Sequence, residues 1–232
     1  MLPELPPSFS ATRNALHALA EQVMSAAYFR ATTHIGLRPA PRGFATPEFG
    51  DWERVRVDST ALVHEQAGST RRHEITSLRA AAAFVDVPLG APPVFKATTS
   101  FAPDAPLPVD REAVLVLADW YALGHALLLD LRAAHVEVPS TDPQLWPEHF
   151  DLGCEIGNGD AGERATYGVS PGDSTIPEPY LYVGPWDPGR RTGALAAYPF
   201  GGACTYTELR RSGEAGAEGR RFFESAVAQL VG

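Results

Sequence analysis

Lysine is almost missing from this chain: of its 19 basic residues, every one but Lys96 is arginine. Schiff-base and phosphate-loop lysine chemistries are therefore left to Lys96 alone. Cysteine is scarce as well. Cys154 and Cys204 stand far apart and in no metal spacing, so they read as two reduced core thiols rather than a disulfide framework or a zinc site. Positive charge is short: 19 basic against 28 acidic residues gives −9, with a pI of about 5.2. That opposes a general affinity for nucleic acid or anionic lipid, both of which need clustered Lys and Arg. No long uncharged apolar run occurs. The most apolar stretch, Val114 to Leu131, contains Asp119, His125 and Asp130, which suits a buried helix better than a membrane span. The opening "MLPELPPSFSATRN" has neither a basic n-region nor an apolar h-region, so the expectation is a cytoplasmic protein without a secretory signal. No H-E-x-x-H, C-x-x-C or EF-hand pattern is present; His149-x-Asp151 can supply two ligands to a divalent metal but no third stands in a recognisable spacing, and the sequence leaves the cofactor open.

What is there is an ordinary globular composition, 44% apolar and 20% charged over 232 residues, enough for one sizeable core. The abundant Ala, Gly, Pro and Arg match a GC-rich genome. A first helix is expected from Ser10 or Thr12 to about Phe29, with Leu16, Leu19, Ala20, Val23 and Ala27 as its apolar stripe and His17, Glu21 and Gln22 outside it. Period-two alternation follows from Trp52 to Ile75, broken at Asp58-Ser59 and at Ala67-Gly68-Ser69, and predicts a small meander. A short helix capped by Thr76 or Ser77 leads into Pro-rich residues 86–109, a connection and a candidate lobe boundary. Asp110 caps the longest helix, to about Ala134, apolar almost all round and so expected to be buried. Strands are predicted over 148–156, 164–169, 179–184 and 203–209, and a last helix over 220–231. The fold class is α+β: N- and C-terminal antiparallel meanders around the buried helix 110–134, read as a single domain over 1–232.

"YGVSPGD", residues 167–173, matches the G-x-S-x-G letters of a nucleophile elbow at Ser170. The elbow needs a backbone N–H after the serine and a helix immediately beyond it. Here Pro171 has no N–H and "PGDSTIPEPY" cannot continue as a helix. A type II turn centred on Pro171-Gly172 is the better reading. "GNGDAG", 157–162, lacks a Walker lysine and a following helix and reads as a hairpin loop.

Period two along 148–156 turns Phe150, Leu152, Cys154 and Ile156 one way and His149, Asp151, Gly153 and Glu155 the other. Aligning apolar faces requires opposed residues to have odd-numbered sums. A loop over roughly 158–163 then sets Gly153 opposite Gly168 and Glu155 opposite Thr166. The polar face would collect His149, Asp151, Glu155, Arg164, Glu178, Tyr180 and Tyr182, with a tyrosine leaning over a glycine-floored trough. The leading expectation is a small-molecule enzyme or binding protein. His149 would be the acid or base, Asp151 or Glu155 its orienting carboxylate and Glu178 a second acid. Arg164, Tyr180 and Tyr182 would bind, and Trp146 and Trp186 would form apolar walls. The competing expectation is a non-catalytic interaction or structural protein, because an antiparallel sheet normally wets one polar face. The other histidines, His17 among them, are scattered and each reads as structural.

"LWPEHFDL", "YGVSPGD" and "PEPYLYVGPW", together with "IGLRPAPRGFATPEFG", resemble an uncharacterised family of conserved proteins from high-GC actinobacteria, over most of the chain. The resemblance implies a bacterial cytoplasmic setting. It carries no established activity and assigns no catalytic residue.

Overall fold

The computed structural model describes residues 1–231. A helical rod opens it: α1 (Phe9–Leu19), a π turn over Ala20–Met24, and α2 (Ser25–Thr32). It starts at Phe9, ahead of both expected caps, and its N-cap Ser8 makes no side-chain cap bond. Ser8 Oγ donates to Asp110 Oδ1 at 3.0 Å, and Thr12 Oγ1 donates to the Pro108 carbonyl at 3.0 Å. The wide π turn takes an extra residue and shifts the phase of the side chains. Glu21, expected outside the apolar stripe, is fully buried, and Thr98 and Thr99 donate to its carboxylate.

Five strands form the first antiparallel sheet in chain order: β1 (Arg38–Ala40), β2 (Gly43–Ala45), β3 (Arg54–Asp58), β4 (Ala61–Gln66) and β5 (Ser69–Glu74). Val55 faces His64 and Val57 faces Leu62 across β3 and β4, which makes one buried face as the alternation predicts. The turns fall at Ser59 (φ 60°) and at Ala67-Gly68 (φ 46° and 80°). Ser77 caps α3 (Leu78–Phe84), its hydroxyl accepting from Ala80 N at 3.2 Å.

Asp110 caps α4 (Arg111–Ala134) through Ala113 N at 3.0 Å. The helix is long and apolar enough to cross a membrane by length and composition alone. Leu117, Trp120, Tyr121, Leu127, Leu128 and Leu131 are buried, whereas Asp119, Ala122, Ala126, Leu129, Asp130 and Ala133 mark an exposed side. Alanine is apolar enough to raise the hydropathy of a helix without needing burial.

The second antiparallel sheet carries β10 (Gly202–Thr205), β9 (Tyr180–Pro185), β8 (Ala165–Ser170) and β7 (Asp151–Ile156) in that order, with β6 (Gln144–Trp146) as its fifth member. Leu152 pairs with Val169, Gly153 with Gly168, Cys154 with Tyr167 and Glu155 with Thr166. This is the odd-sum register that aligned apolar faces demand. The expected strand to residue 209 stops at Thr205. Thr205 and Glu208 close a capping box there and start α5 (Tyr206–Ser212). α6 (Ala215–Val231) begins earlier than its apolar pattern implied. Gly219 on α6 is needed for close packing: a Cβ there would lie 2.7 Å from Leu127 and 2.9 Å from Leu181.

The chain divides into two compact units. The N-terminal unit comprises Leu5–Ala122 with Leu145–Phe150. The C-terminal unit comprises Met1–Glu4, Leu123–Gln144 and the chain from Asp151 on. Residues 86–109 lie inside the N-terminal unit.

Candidate functional site

On the polar face of the C-terminal sheet, strand register brings Asp151, Gly153 and Glu155 of β7 beside Thr166, Gly168 and Ser170 of β8 and Tyr180 and Tyr182 of β9. The two glycines do leave room, and Tyr182 takes it. A Cβ on Gly168 would sit 2.3 Å from the Tyr182 ring, and one on Gly153 would sit 3.4 Å from its hydroxyl. The Tyr182 hydroxyl donates to Asp151 Oδ2. Desolvation, then the Asp151 charge and that hydrogen bond, push the phenol well above its ordinary pKa. Tyr180 is buried and donates to Asp173 Oδ2 at 2.6 Å, and burial followed by that hydrogen bond raises its pKa too. Asp173 also accepts from Thr175 N and Ile176 N at 2.6 and 2.9 Å. Phe200 packs on both tyrosines, with centroids 6.0 and 6.1 Å away, and Tyr198 stacks on Phe200 at 5.4 Å. This aromatic cover arrives on the irregular segment before β10 and has no sequence period that would announce it.

At the Glu155 end, Arg164 forms an ion pair with Glu155 and its guanidinium lies 4.3 Å over the Trp186 ring. Trp186 Nε1 donates to Thr166 Oγ1 at 3.1 Å. Trp186 thus stacks and bonds within one end of the face rather than walling the trough. Glu178 leaves the face. Its Oε2 accepts from Thr207 N at 2.9 Å and Thr207 Oγ1 at 2.5 Å, holding the start of α5. Ser170 ends β8, and the Gly172 N–H donates back to its Oγ at 3.1 Å. Gly172 has the φ of 96° that a type II turn needs, and no helix follows.

Strand β7 begins at Asp151 rather than 148, and His149 and Trp146 belong to the N-terminal unit. The reason is local. Phe150 has φ 54°, so the extended backbone and its alternation do not run back to His149. Pro147, Glu148, His149 and Phe150 form a turn, closed by Phe150 N donating to the Trp146 carbonyl at 2.7 Å. Tyr121 Oη donates to the Phe150 carbonyl at 2.6 Å. The buried Phe150 ring meets Phe44 and Tyr121 edge-on at 5.2 and 5.8 Å. His17 of α1 stacks on its face at 5.2 Å and 7°.

His17 Nε2 lies 3.0 Å from the Pro147 carbonyl and 3.5 Å from Glu21 Oε1. The carbonyl only accepts, so Nε2 carries the proton of the neutral ring and Nδ1 keeps its lone pair. Burial holds the His17 pKa below its ordinary value, against the opposing pull of Glu21. Glu21 itself is saturated: Thr98 N and Oγ1 donate to Oε1 at 2.7 and 2.8 Å, and Thr99 N and Oγ1 donate to Oε2. His149 is exposed on the same turn, and its charged form would depress His17 further. Trp146 is 37% exposed at the head of the turn. The sequence reading missed His17 and Glu21. Their only signal was the His-x-x-x-Glu spacing on one helix.

Three further histidines have structural work. His64 is held by Glu53 at 2.8 Å and by Arg71, which donates to its Nδ1 at 2.6 Å; His73 stacks on Phe84; His135 bonds Glu224 at 2.8 Å. Cys154 and Cys204 are free and buried, and burial raises both thiols to about 12, which leaves them inert at neutral pH. Among the described residues no group of three or more His, Cys, Asp or Glu is arranged to hold a metal ion. No family model, curated protein or solved structure matches this chain.

Proposed function

We propose that the protein is a small-molecule enzyme or binding protein whose acid–base group is His17, with His149 as a second titratable group beside it. The observation that carries this reading is the turn at Phe150. A bulky, buried side chain sits at φ 54°, a conformation that stores about 1–3 kcal/mol and persists only where the surroundings over-determine it. Here they do, and what the strained residue holds is an imidazole. His17 has its tautomer set by the Pro147 carbonyl and a carboxylate 3.5 Å away to favour the imidazolium when a proton arrives. Those are the parts of a general base: a free Nδ1, an oriented ring and a nearby charge. Asp151, Glu155 and Glu178 already have partners, which moves the acid–base role to His17 and His149.

Ring resonances of His17 and His149 give the test. Titrating the intact protein with a panel of small carboxylates, amines, alcohols and sugars should shift both rings saturably for at least one class. His17→Asn should abolish the effect on His149. A folded protein in which no class moves either ring overturns the proposal. The polar sheet face supports a different role. Its phenols and carboxylates bond one another beneath Phe200, which favours a structural network there.

A further inference from the structure

We infer that β5 is an interface: a second copy of this chain adds to it edge to edge, antiparallel, with Arg72 of one copy opposite Glu74 of the other. A sheet edge presents unpaired N–H and C=O groups and pairs with another strand unless something guards it. Of the edges of the two sheets, all but one are short or guarded. β1 is three residues long with Pro39 at its centre, and Leu37 just before it exchanges both backbone bonds with Leu145 of three-residue β6. β10 has four residues, and the Gly193–Ala196 turn packs against its first: a Cβ on Gly202 would lie 3.0 Å from the Ala194 carbonyl. β5 runs six residues, Ser69–Glu74, without proline or glycine, and is exposed except at half-buried His73.

The hairpin fixes which groups face out. Ala67 and Gly68, at φ 46° and 80°, make a type I′ turn, which closes on a hydrogen-bonded pair, here Gln66 and Ser69. Alternation then points the backbone groups of Arg71 and His73 at β4 and those of Thr70, Arg72 and Glu74 outward. Ile75 N, donating to the Thr60 carbonyl at 2.9 Å, keeps the same phase. Charged side chains commonly guard such an edge, but here they lean back over their own sheet. Arg71 donates to His64 and lies 5.1 Å over the Phe84 ring, and Arg72 reaches across β4 to Asp58 of β3 at 2.9 Å.

Charge names the occupant. Arg42, Arg56 and Arg72 bind Asp58 at 2.8, 3.2 and 2.9 Å, and Arg56 also binds Glu65. Three guanidiniums thus share two carboxylates, and Arg72 is the one Asp58 can spare. Glu74, on the same face of β5, accepts from Thr60 Oγ1 at 2.9 Å and has no cationic partner among the described residues. A two-fold pairing of β5 with itself turns about one residue. Centred on Arg71, Arg72 or Glu74, it sets like charges directly opposite, which is unfavourable. Centred on His73, it sets Arg72 against Glu74 on both sides of the axis, and each such pair exchanges two backbone hydrogen bonds. His73 keeps its ring stacked on Phe84 of its own copy, 5.3 Å between centroids. The Thr76 carbonyl already accepts from Leu107 N, which ends the ladder there. So short a ladder makes a weak, concentration-dependent dimer. The charge of −9 on each copy opposes approach and has to be screened by salt.

Sedimentation velocity of the intact protein from about 1 to 100 µM, in about 0.15 M salt, tests this. The expected result is a shift toward dimer with concentration, together with slower hydrogen exchange at the Arg72 and Glu74 amides. Arg72→Glu and Glu74→Arg should each weaken the dimer by about tenfold or more, because both charge pairs become repulsive. The folded double variant should restore it. Monomer throughout the range overturns the proposal and leaves the edge to a foreign extended segment. A dimer that leaves exchange at those two amides unchanged overturns it as well, and so does a folded double variant that associates no better than the single ones. The exchange measurement uses unmodified protein, so it stands even where a variant fails to fold.

Discussion

The two places where titratable side chains gather are built on opposite plans. On the polar face of the C-terminal sheet, acids meet phenols and a guanidinium: Tyr182 bonds Asp151, Tyr180 bonds Asp173 and Arg164 bonds Glu155. Each group uses up its neighbour, and Phe200 covers the tyrosines. In the N-terminal unit, backbone carbonyls, threonines and an aromatic ring hold His17 and Glu21, so His17 keeps Nδ1 and Glu148 keeps Oε2. The lesson is that a cluster of acid–base residues is not a site by itself. What matters is whether they satisfy one another or are satisfied by something else.

The contrast predicts that Glu21 is the most expensive group to remove from either place. Its carboxylate is fully buried and gathers four donors from Thr98 and Thr99 across more than seventy residues of chain. Glu21→Ala should lower stability by about 3 kcal/mol, combining a cavity with unpaired donors. Urea titration checks this, with hydrogen exchange at Thr98 and Thr99 as a local readout. A loss under about 0.5 kcal/mol would mean that water replaces the carboxylate without penalty and that the turn is not held as described.

Gly168→Val comes next and attacks the other plan. The new Cβ would fall 2.3 Å from the Tyr182 ring, so the ring must leave Asp151 and its packing under Phe200. Overpacking of this kind costs about 1–3 kcal/mol. Tyrosine ionisation followed by ultraviolet absorbance should show the accompanying change. In the native fold the raised pKa of Tyr182 keeps its proton as pH climbs, whereas the unfolded chain releases it near 10, so stability falls above that pH. The displaced phenol of the variant should titrate closer to its ordinary value and flatten that fall.

Much of the C-terminal sheet was legible because only one parity of register aligns period-two apolar faces. Gly153 opposite Gly168 and Glu155 opposite Thr166 followed from that parity, and the tyrosine over the glycines followed from their missing side chains. The site was harder to read because it depends on two breaks in periodicity. Period two was carried through Phe150, yet nothing in the residue type announces its φ of 54°, and His149 was placed on the wrong element. Period 3.6 was carried through Ala20–Met24, where the helix makes a π turn and Glu21 lies buried against Thr98 and Thr99. Both irregularities are enforced by tertiary contacts from distant parts of the chain, Tyr121 at one and Thr98 and Thr99 at the other. A window read along the sequence does not contain them.

His17 gives a pH signature that the sheet face lacks. Burial depresses its folded-state pKa below the ordinary 6.5, so between those two values the unfolded chain binds the extra proton and the native chain does not. Stability is therefore full above about 6.5 and falls as pH drops through the window, with a slope of at most about 1.4 kcal/mol per pH unit for one proton. His17→Asn should remove that component of the acid limb. An unchanged limb in the variant would assign the loss to the carboxylates instead.

The smallest effect is expected at Gly153, and it sharpens the comparison most because its partner Gly168 sits directly across the ladder. A Cβ on Gly153 would meet Tyr182 Oη at 3.4 Å, the Tyr167 carbonyl at 3.5 Å and the Thr166 methyl at 3.6 Å, all ordinary contacts. Alanine also lowers the conformational entropy of the unfolded chain, worth about 0.4–1 kcal/mol where the native backbone accepts it, and Gly153 has no left-handed φ to resist it. Against that gain stands mild crowding of the Tyr182 hydroxyl where it bonds Asp151. The two terms nearly cancel, so Gly153→Ala should stay within about 0.5 kcal/mol of the parent, whereas any side chain at Gly168 should not. Equal losses at both positions would show that the paired glycines serve backbone flexibility rather than the seat of one tyrosine. The face would then have an open floor after all, and the contrast with the His17 turn would weaken.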